Sequence, residues 1–103
     1  MEWYKKLYVG AGAEDKQRKI ISNIRKNKFQ YDIFVLTLAI NGKDLIDIYP
    51  AQELLQEYYR HKNLFIIGIA RGRGEAISLV EKIVMDVFKM TGTCDVRDYL
   101  KNK

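Results

Sequence analysis

Residues 64–90 read LFIIGIARGRGEAISLVEKIVMDVFKM, and they give the clearest indication of secondary structure in the chain. It begins with a continuous apolar run over residues 64–70, which is typical of a strand buried on both faces. The basic glycine turn Arg71-Gly72-Arg73-Gly74 follows, and apolar residues then recur at helical spacing from Glu75 to Met90. The stretch therefore predicts a strand, a glycine turn and a helix, which favours an α/β domain.

Two other segments predict strands of the same sheet. Residues 32–40 are nearly all apolar, and residues 3–9 alternate loosely between apolar and polar side chains. Strands that are buried on both faces require helices on both sides of their sheet. We therefore predict a small open α/β sheet with helices on both faces. Its strands lie near residues 3–9, 32–40 and 64–70, and all three run parallel with right-handed crossovers.

The Asn41-Gly42 dipeptide leaves a second architecture open, because it is also typical of a two-residue hairpin turn. A short strand over residues 45–49 would then pair with the strand before it, and Pro50 would begin a helix that ends near His61. The element order becomes βαββαβ plus a C-terminal helix, which is a ferredoxin-like α+β fold. In that fold the first and last strands are antiparallel. The two-sided apolar strands favour the open parallel sheet.

Length and composition predict one domain that spans residues 1–103. Hydrophobic residues make up 48% and charged residues 30% of the chain, which is an ordinary globular balance. Cys94 is the only cysteine, so no internal disulfide can form. Without a secretory signal, a reducing cytoplasmic compartment is expected. No apolar run approaches the roughly 18 residues that span a bilayer, so no membrane partner is expected.

The net charge of +5 is concentrated in one part of the chain. Residues 1–28 carry eight basic and three acidic side chains, whereas residues 29–103 carry ten of each. Such an asymmetry is typical either of a solvated helix face or of a surface that binds an anionic partner. The alternative function is therefore nucleic-acid binding by the basic first helix, through Lys16, Arg18, Lys19, Arg25 and Lys26.

The preferred site prediction is a small anionic or phosphate-bearing ligand at the glycine turns. A helix that starts after a glycine-rich turn presents free N–H groups and the positive end of its dipole. Neither turn matches a dinucleotide or Walker fingerprint, and Glu75 would oppose a bound anion. In a parallel sheet both turns lie at the carboxyl edge, where such sheets bind ligands. The predicted ligand-binding residues are Arg71, Gly72, Arg73, Gly74, Gly10 and Gly12.

Catalytic, metal and cofactor chemistry finds little support in the sequence. The chain has one cysteine and one histidine, Cys94 and His61, and nothing in their spacing predicts that they meet. No cluster has metal-ligand spacing, and no nucleophile elbow is present. We therefore predict a non-enzymatic binding domain with no catalytic residues, no metal and no cofactor.

The helix from Glu75 to Met90 is apolar around most of its circumference, which predicts burial in the core or in a contact between copies of the chain. A homo-oligomer is therefore expected. Four short blocks together resemble a family of small bacterial proteins of about this length with no assigned function: residues 7–10, residues 35–39, residues 67–70 with 75–76, and residues 94–97. The resemblance implies a bacterial cytoplasmic protein and brings no functional residues with it.

Overall fold

The computed structural model describes residues 2–39, 45–56 and 63–101. Within them lies one four-stranded mixed sheet, with helices packed on it. The strands are β1 (Glu2–Val9), β2 (Ile33–Leu38), β3 (Ile46–Pro50) and β4 (Phe65–Arg71). The α-helices are α1 (Gln17–Arg25), α2 (Arg73–Thr91) and α3 (Val96–Lys101), and short 3-10 helices cover Ala11–Lys16 and Ala51–Leu55. The prediction of a small open α/β sheet is confirmed.

The strand directions correct one part of that prediction. The order in the sheet is β1-β4-β2-β3; β1 and β4 are parallel, but β2 is antiparallel to both of its neighbours. The prediction that all three long strands run parallel was therefore wrong for β2. The short connection to β3 accounts for one of these pairings, since Leu38 pairs with Ile46. A parallel crossover needs a dozen or more residues, whereas a hairpin does not. An apolar run that is buried on both faces fits a parallel or an antiparallel neighbour, so the apolar pattern did not determine the direction of β2 against β4.

The ferredoxin-like alternative was right about the β2–β3 hairpin and wrong about the sheet. In the structure β1 and β4 are neighbours and run parallel, whereas that fold requires them to be antiparallel. The predicted Asn41-Gly42 turn lies outside the described residues. The predicted helix after Pro50 is confirmed only for its first turn, which is 3-10 and not α-helical, and the part of the prediction from residue 57 to His61 lies outside the described residues. Pro50 ends β3, a 3-10 helix covers Ala51–Leu55, and Gln56 returns to an extended conformation.

Alternating side chains of the central strands enter two separate cores. Leu36 of β2 and Ile67 of β4 pack beneath α2 and α3, where Ile83 and Leu100 join them. On the opposite face Val35 and Ile69 pack with Ile20 and Ile24 of α1. Helices therefore cover both faces of the sheet, as the two-sided apolar strands predicted.

Helix α2 follows the predicted apolar pattern and has two different sides. Ala76, Leu79, Ile83 and Val87 are buried against the sheet, and Gly92 ends the helix in the left-handed conformation. Several large apolar side chains on the other side are exposed: Ile77, Met85, Phe88 and Met90. No helix in the described part of the chain is long and apolar enough to cross a membrane.

Tyr8 ties β1 to α2. Its hydroxyl donates to Asp86 Oδ2 at 3.0 Å, and its ring stacks on Tyr4 with the two centroids 6.3 Å apart. Burial raises the pKa of the Tyr8 hydroxyl above its ordinary value, and the hydrogen bond to Asp86 raises it further. Burial likewise raises the pKa of Tyr4, with a smaller contribution from Tyr99. Both tyrosines are therefore held in the neutral form.

Candidate functional site

The two glycine turns of the predicted ligand site meet at one edge of the sheet. Because β1 and β4 are parallel neighbours, both end at this edge, and the Gly10 N–H donates to Ile69 O at 2.9 Å. β2 runs in the opposite direction and begins here, where the Gly72 N–H donates to Asp32 O at 2.7 Å. The turn over residues 10–12 therefore lies beside the turn over residues 71–74, as the sequence predicted.

The carboxylate of Glu75 lies in the space between these turns. Its Oε1 accepts the Gly12 N–H and its Oε2 accepts the Arg71 N–H, each at 2.7 Å. A Cβ atom on Gly10 would lie 2.3 Å from Oε2, which is far inside van der Waals contact. The φ of Gly10 is −66°, which any residue can adopt, so a larger side chain is opposed here by the closeness of the Glu75 carboxylate and not by the backbone conformation. We call this arrangement the Glu75 clasp.

Arg71 completes the clasp from the other side. Its Nε donates to Gly12 O at 3.1 Å, so each turn donates to and accepts from the segment opposite it. Gly72 has a φ of +84°, which only glycine adopts readily, and it turns the chain from β4 into α2. Around Gly74 a Cβ atom would meet nothing within 4 Å.

The two arginines of the turn lie on opposite faces of the sheet. The Arg73 guanidinium is 5.6 Å from the centroid of Phe34, whose ring packs against the core beneath α2. Arg71 instead lines a cleft together with Ile20 of α1 and Ile33, which belong to the other core. The structure therefore brings together Arg71, Gly10 and Gly12 of the predicted site and separates Arg73 from them.

The cleft beside Arg71 has a volume of about 210 Å³. It brings together the basic first segment and the turn at Arg71, which are distant from each other in the sequence. Lys16 and Lys19 extend into it from the basic first segment. None of the described residues that line it is acidic, and Glu14 and Asp15 line the adjoining concavity, which Lys16 and Lys19 also border. We call it the basic cleft. The residues that line it are Lys16, Lys19, Ile20, Asn23, Phe29, Gln30, Tyr31, Ile33 and Arg71.

Two aromatic rings at the basic cleft were missed by the sequence interpretation. Phe29 is 66% exposed and Tyr31 is 84% exposed, although large aromatic side chains usually bury most of their surface. They lie between Asn27 and Asp32, which have φ values of 56° and 59°. Asparagine and aspartate tolerate this left-handed conformation best among residues with a Cβ atom. These two residues were the signal in the sequence that the 28–31 segment turns outward.

The floor of the basic cleft is held by side-chain hydrogen bonds. Gln30 Nε2 donates to Ile20 O at 3.2 Å, and Asn23 Nδ2 donates to Gln30 Oε1 at 3.4 Å. These bonds attach the loop before β2 to α1. The aromatic rings on either side of Gln30 are thereby held next to the lysines of the first segment.

A second groove lies on the other side of α1, against β1. It has a volume of about 560 Å³, and the Arg25 guanidinium lies 5.2 Å from the centroid of the Trp3 ring within it. We call it the Trp3 groove. The residues that line it are Trp3, Tyr4, Lys5, Lys6, Leu7, Gln17, Ile21 and Arg25.

The five basic residues of the alternative prediction are all exposed, but they do not converge on one point. Lys16 and Lys19 line the basic cleft, and Arg25 lines the Trp3 groove. Arg18 and Lys26 line a shallow concavity between the two, which Arg25 also borders. The five residues therefore form a band across α1 and the turn before it.

Within the described ranges, no three histidine, cysteine, aspartate or glutamate side chains come close enough to hold a metal ion. Cys94 is a free and exposed thiol, and His61 lies outside the described residues. Comparison of the chain with protein-family models, with curated proteins and with solved structures finds no match.

Proposed function

We propose that this chain is a non-enzymatic domain that binds a phosphate-bearing ligand in the basic cleft. The observation that carries the proposal is the meeting of Arg71 with Lys16 and Lys19 beside two exposed aromatic rings. Arginine and lysine side chains are the usual partners of phosphate oxygens, and exposed rings provide stacking surfaces for planar groups. The proposed ligand class is the one predicted from the sequence. The proposed site is the basic cleft, which adjoins the glycine turn where the sequence predicted the site.

The Glu75 clasp explains why the glycine turn itself is not the proposed site. The Gly12 and Arg71 N–H groups point at a carboxylate of the chain itself, so those donors are already used. A phosphate placed there would meet a negative charge at hydrogen-bond distance. In the basic cleft, by contrast, three cationic side chains have no acidic neighbour among the lining residues.

The clasp supports the cleft by holding Arg71 in place. The bond from Arg71 Nε to Gly12 O orients the guanidinium group before any ligand arrives. A side chain that is already ordered loses less conformational entropy when it binds. Gly10 and Gly12 therefore act in positioning, through the Glu75 carboxylate and the Gly12 carbonyl oxygen, and not as direct ligand contacts.

Titration with inorganic pyrophosphate in a calorimeter at low salt tests the proposal. We expect saturable binding by the wild type and about a tenfold loss of affinity in the Lys16→Ala/Lys19→Ala variant, because charge-assisted contacts are removed. The charge-matched control is Lys82→Ala/Lys89→Ala, whose lysines are exposed on α2. Absence of saturable binding, or equal affinities for the two double variants, contradicts the proposal.

We also retain the predicted homo-oligomer and cytoplasmic location as part of this proposal. The exposed apolar side of α2, with Phe88 50% exposed and Met85 53% exposed, supports a contact between copies. The exposed free thiol of Cys94 supports a reducing compartment.

Sedimentation velocity of the wild type and Phe88→Glu tests the contact between copies. We expect a multiple of 12.1 kDa for the wild type and a smaller species for the variant. A wild type that sediments as a monomer rules the contact out.

A further inference from the structure

We infer that the phosphate-bearing ligand is a single-stranded nucleic acid that continues from the basic cleft across α1 into the Trp3 groove. This inference rests on the proposed function and deepens it, because it names the ligand class and a second contact region. Three features of the described surface carry it: an unbroken basic band, aromatic rings at both ends of that band, and its length.

The basic band is unbroken because neighbouring concavities share residues. Ile21 and Arg25 line both the Trp3 groove and the shallow concavity on the outer side of α1. A further concavity connects this path to the basic cleft, because it shares Lys16 and Lys19 with the cleft and Arg18 with the shallow concavity. The segment over residues 16–31 contains no acidic residue. Glu14 and Asp15 border the path at its Lys16 end, and a phosphate backbone would pass on the side of the lysines and arginines.

Aromatic rings lie at both ends of the band. Phe29 and Tyr31 stand exposed at the basic cleft, and Trp3 lies half-buried in the other groove with Arg25 above it. Base stacking on such rings contributes strongly to single-strand binding and tolerates any sequence. In a duplex the bases are stacked on one another, so these rings would have no free face to contact. The rings therefore favour a single strand over a duplex.

The length of the band argues against a small ligand. Because the basic cleft and the Trp3 groove lie on opposite sides of α1, the path between them crosses a helix whose diameter with side chains is roughly 10–12 Å. A single phosphate group fills only one of these regions. A flexible strand of several nucleotides occupies all of them at once and releases more counterions.

The test uses a fluorescein-labelled oligothymidylate of about 15 nucleotides, within the site sizes of known single-strand binders. Trp3 is the only tryptophan, so its fluorescence reports the Trp3 groove alone. We expect the oligonucleotide to bind more tightly than pyrophosphate, to quench Trp3, and to lose affinity as salt rises. We expect Arg25→Ala/Lys26→Ala to weaken the oligonucleotide about tenfold and to leave pyrophosphate affinity unchanged. Lys82→Ala/Lys89→Ala is again the matched control.

The outcomes separate this inference from the proposed function. Pyrophosphate binding that depends on Lys16 and Lys19, combined with an oligonucleotide that binds no more tightly or leaves Trp3 unquenched, overturns the inference alone. Equal affinity for the duplex form of the oligonucleotide also overturns it. If neither pyrophosphate nor the oligonucleotide binds, both proposals fail. Tyr31→Ala adds a check on stacking, since it should weaken the oligonucleotide severalfold without changing the net charge.

Discussion

The Glu75 clasp and the basic cleft are neighbours that share Arg71, but the clasp already contains a carboxylate and the cleft does not. In the clasp the chain supplies its own carboxylate, and the Gly12 and Arg71 N–H groups are satisfied by it. In the cleft Lys16 and Lys19 join Arg71 with no acidic side chain among the lining residues. The Glu75 carboxylate therefore occupies the position at which the free N–H groups of a glycine turn before a helix would otherwise hold an anion.

Removing the Glu75 carboxylate should have the largest effect on stability. Glu75→Ala leaves two backbone N–H groups without their acceptor, and we expect the free energy of unfolding to fall by about 1–3 kcal/mol. Urea denaturation of this variant measures the loss, with Glu81→Ala on the exposed side of the same helix as the control. Inorganic phosphate should recover part of the loss in Glu75→Ala by replacing the missing anion. A variant as stable as the control would show that the clasp contributes nothing.

A methyl group at Gly10 should lower the free energy of unfolding by displacing the Glu75 carboxylate and not by straining the backbone. Because the added Cβ would meet the Glu75 carboxylate at 2.3 Å, we expect Gly10→Ala to cost about 1–2 kcal/mol in the wild type. In the Glu75→Ala background the same substitution should cost much less, since the clash is gone. A double-mutant cycle by denaturation measures this coupling. Additive effects of the two changes would mean that Gly10 serves some other purpose.

The hydrogen bond from Tyr8 to Asp86 attaches β1 to α2 at a point away from the Glu75 clasp, so its contribution to stability can be compared with that of the clasp. Because its pKa is raised on folding, the unfolded chain loses the hydroxyl proton first as the pH rises above the ordinary value of 10.0. The stabilisation is therefore complete below that pH and is lost as the pH approaches the folded value. We expect stability to decline above pH 10.0 in the wild type and less steeply in Tyr8→Phe. Tyr31→Phe, whose ring is 84% exposed, should follow the wild type in thermal unfolding. Parallel profiles for wild type and Tyr8→Phe would exclude this role.

Arg73 should have the smallest effect on ligand binding. Its guanidinium lies over Phe34 on the α2 side of the sheet, so it faces away from the basic cleft. We expect Arg73→Ala to change pyrophosphate affinity less than twofold, whereas Arg71→Ala should lower it about tenfold. Calorimetric titration of the two variants compares them directly. Equal losses would place both arginines at one site, as the sequence predicted.

The strands and the two covered faces could be predicted because apolar runs at residues 32–40 and 64–70 leave no polar side for solvent. The direction of β2 could not, because Asn41-Gly42 is compatible both with the end of a strand and with a hairpin. Pro50 is likewise compatible with two structures. It suits the first position of a helix, but it also suits the end of an edge strand, which it occupies here.

The candidate site was predictable only in part, for reasons of the same kind. The meeting of the two glycine turns follows from the parallel pairing of β1 with β4. The sequence indicated that Glu75 would oppose an anion, but it could not show that the carboxylate itself accepts the N–H groups. The outward position of Phe29 and Tyr31 depends on backbone angles at Asn27 and Asp32. Such angles are permitted by those residue types but not dictated by them.

A titration of the isotopically labelled wild type with pyrophosphate, followed by amide nuclear magnetic resonance, distinguishes the basic cleft from the glycine turn in one experiment. We expect saturable shifts at the amides around Lys19 and Tyr31, which border the basic cleft. The signal of the Gly12 amide, which donates to Glu75, should shift little. If the largest shifts occurred at Gly12 and in the first turn of α2, the anion would be displacing Glu75, and the basic cleft would not be the site.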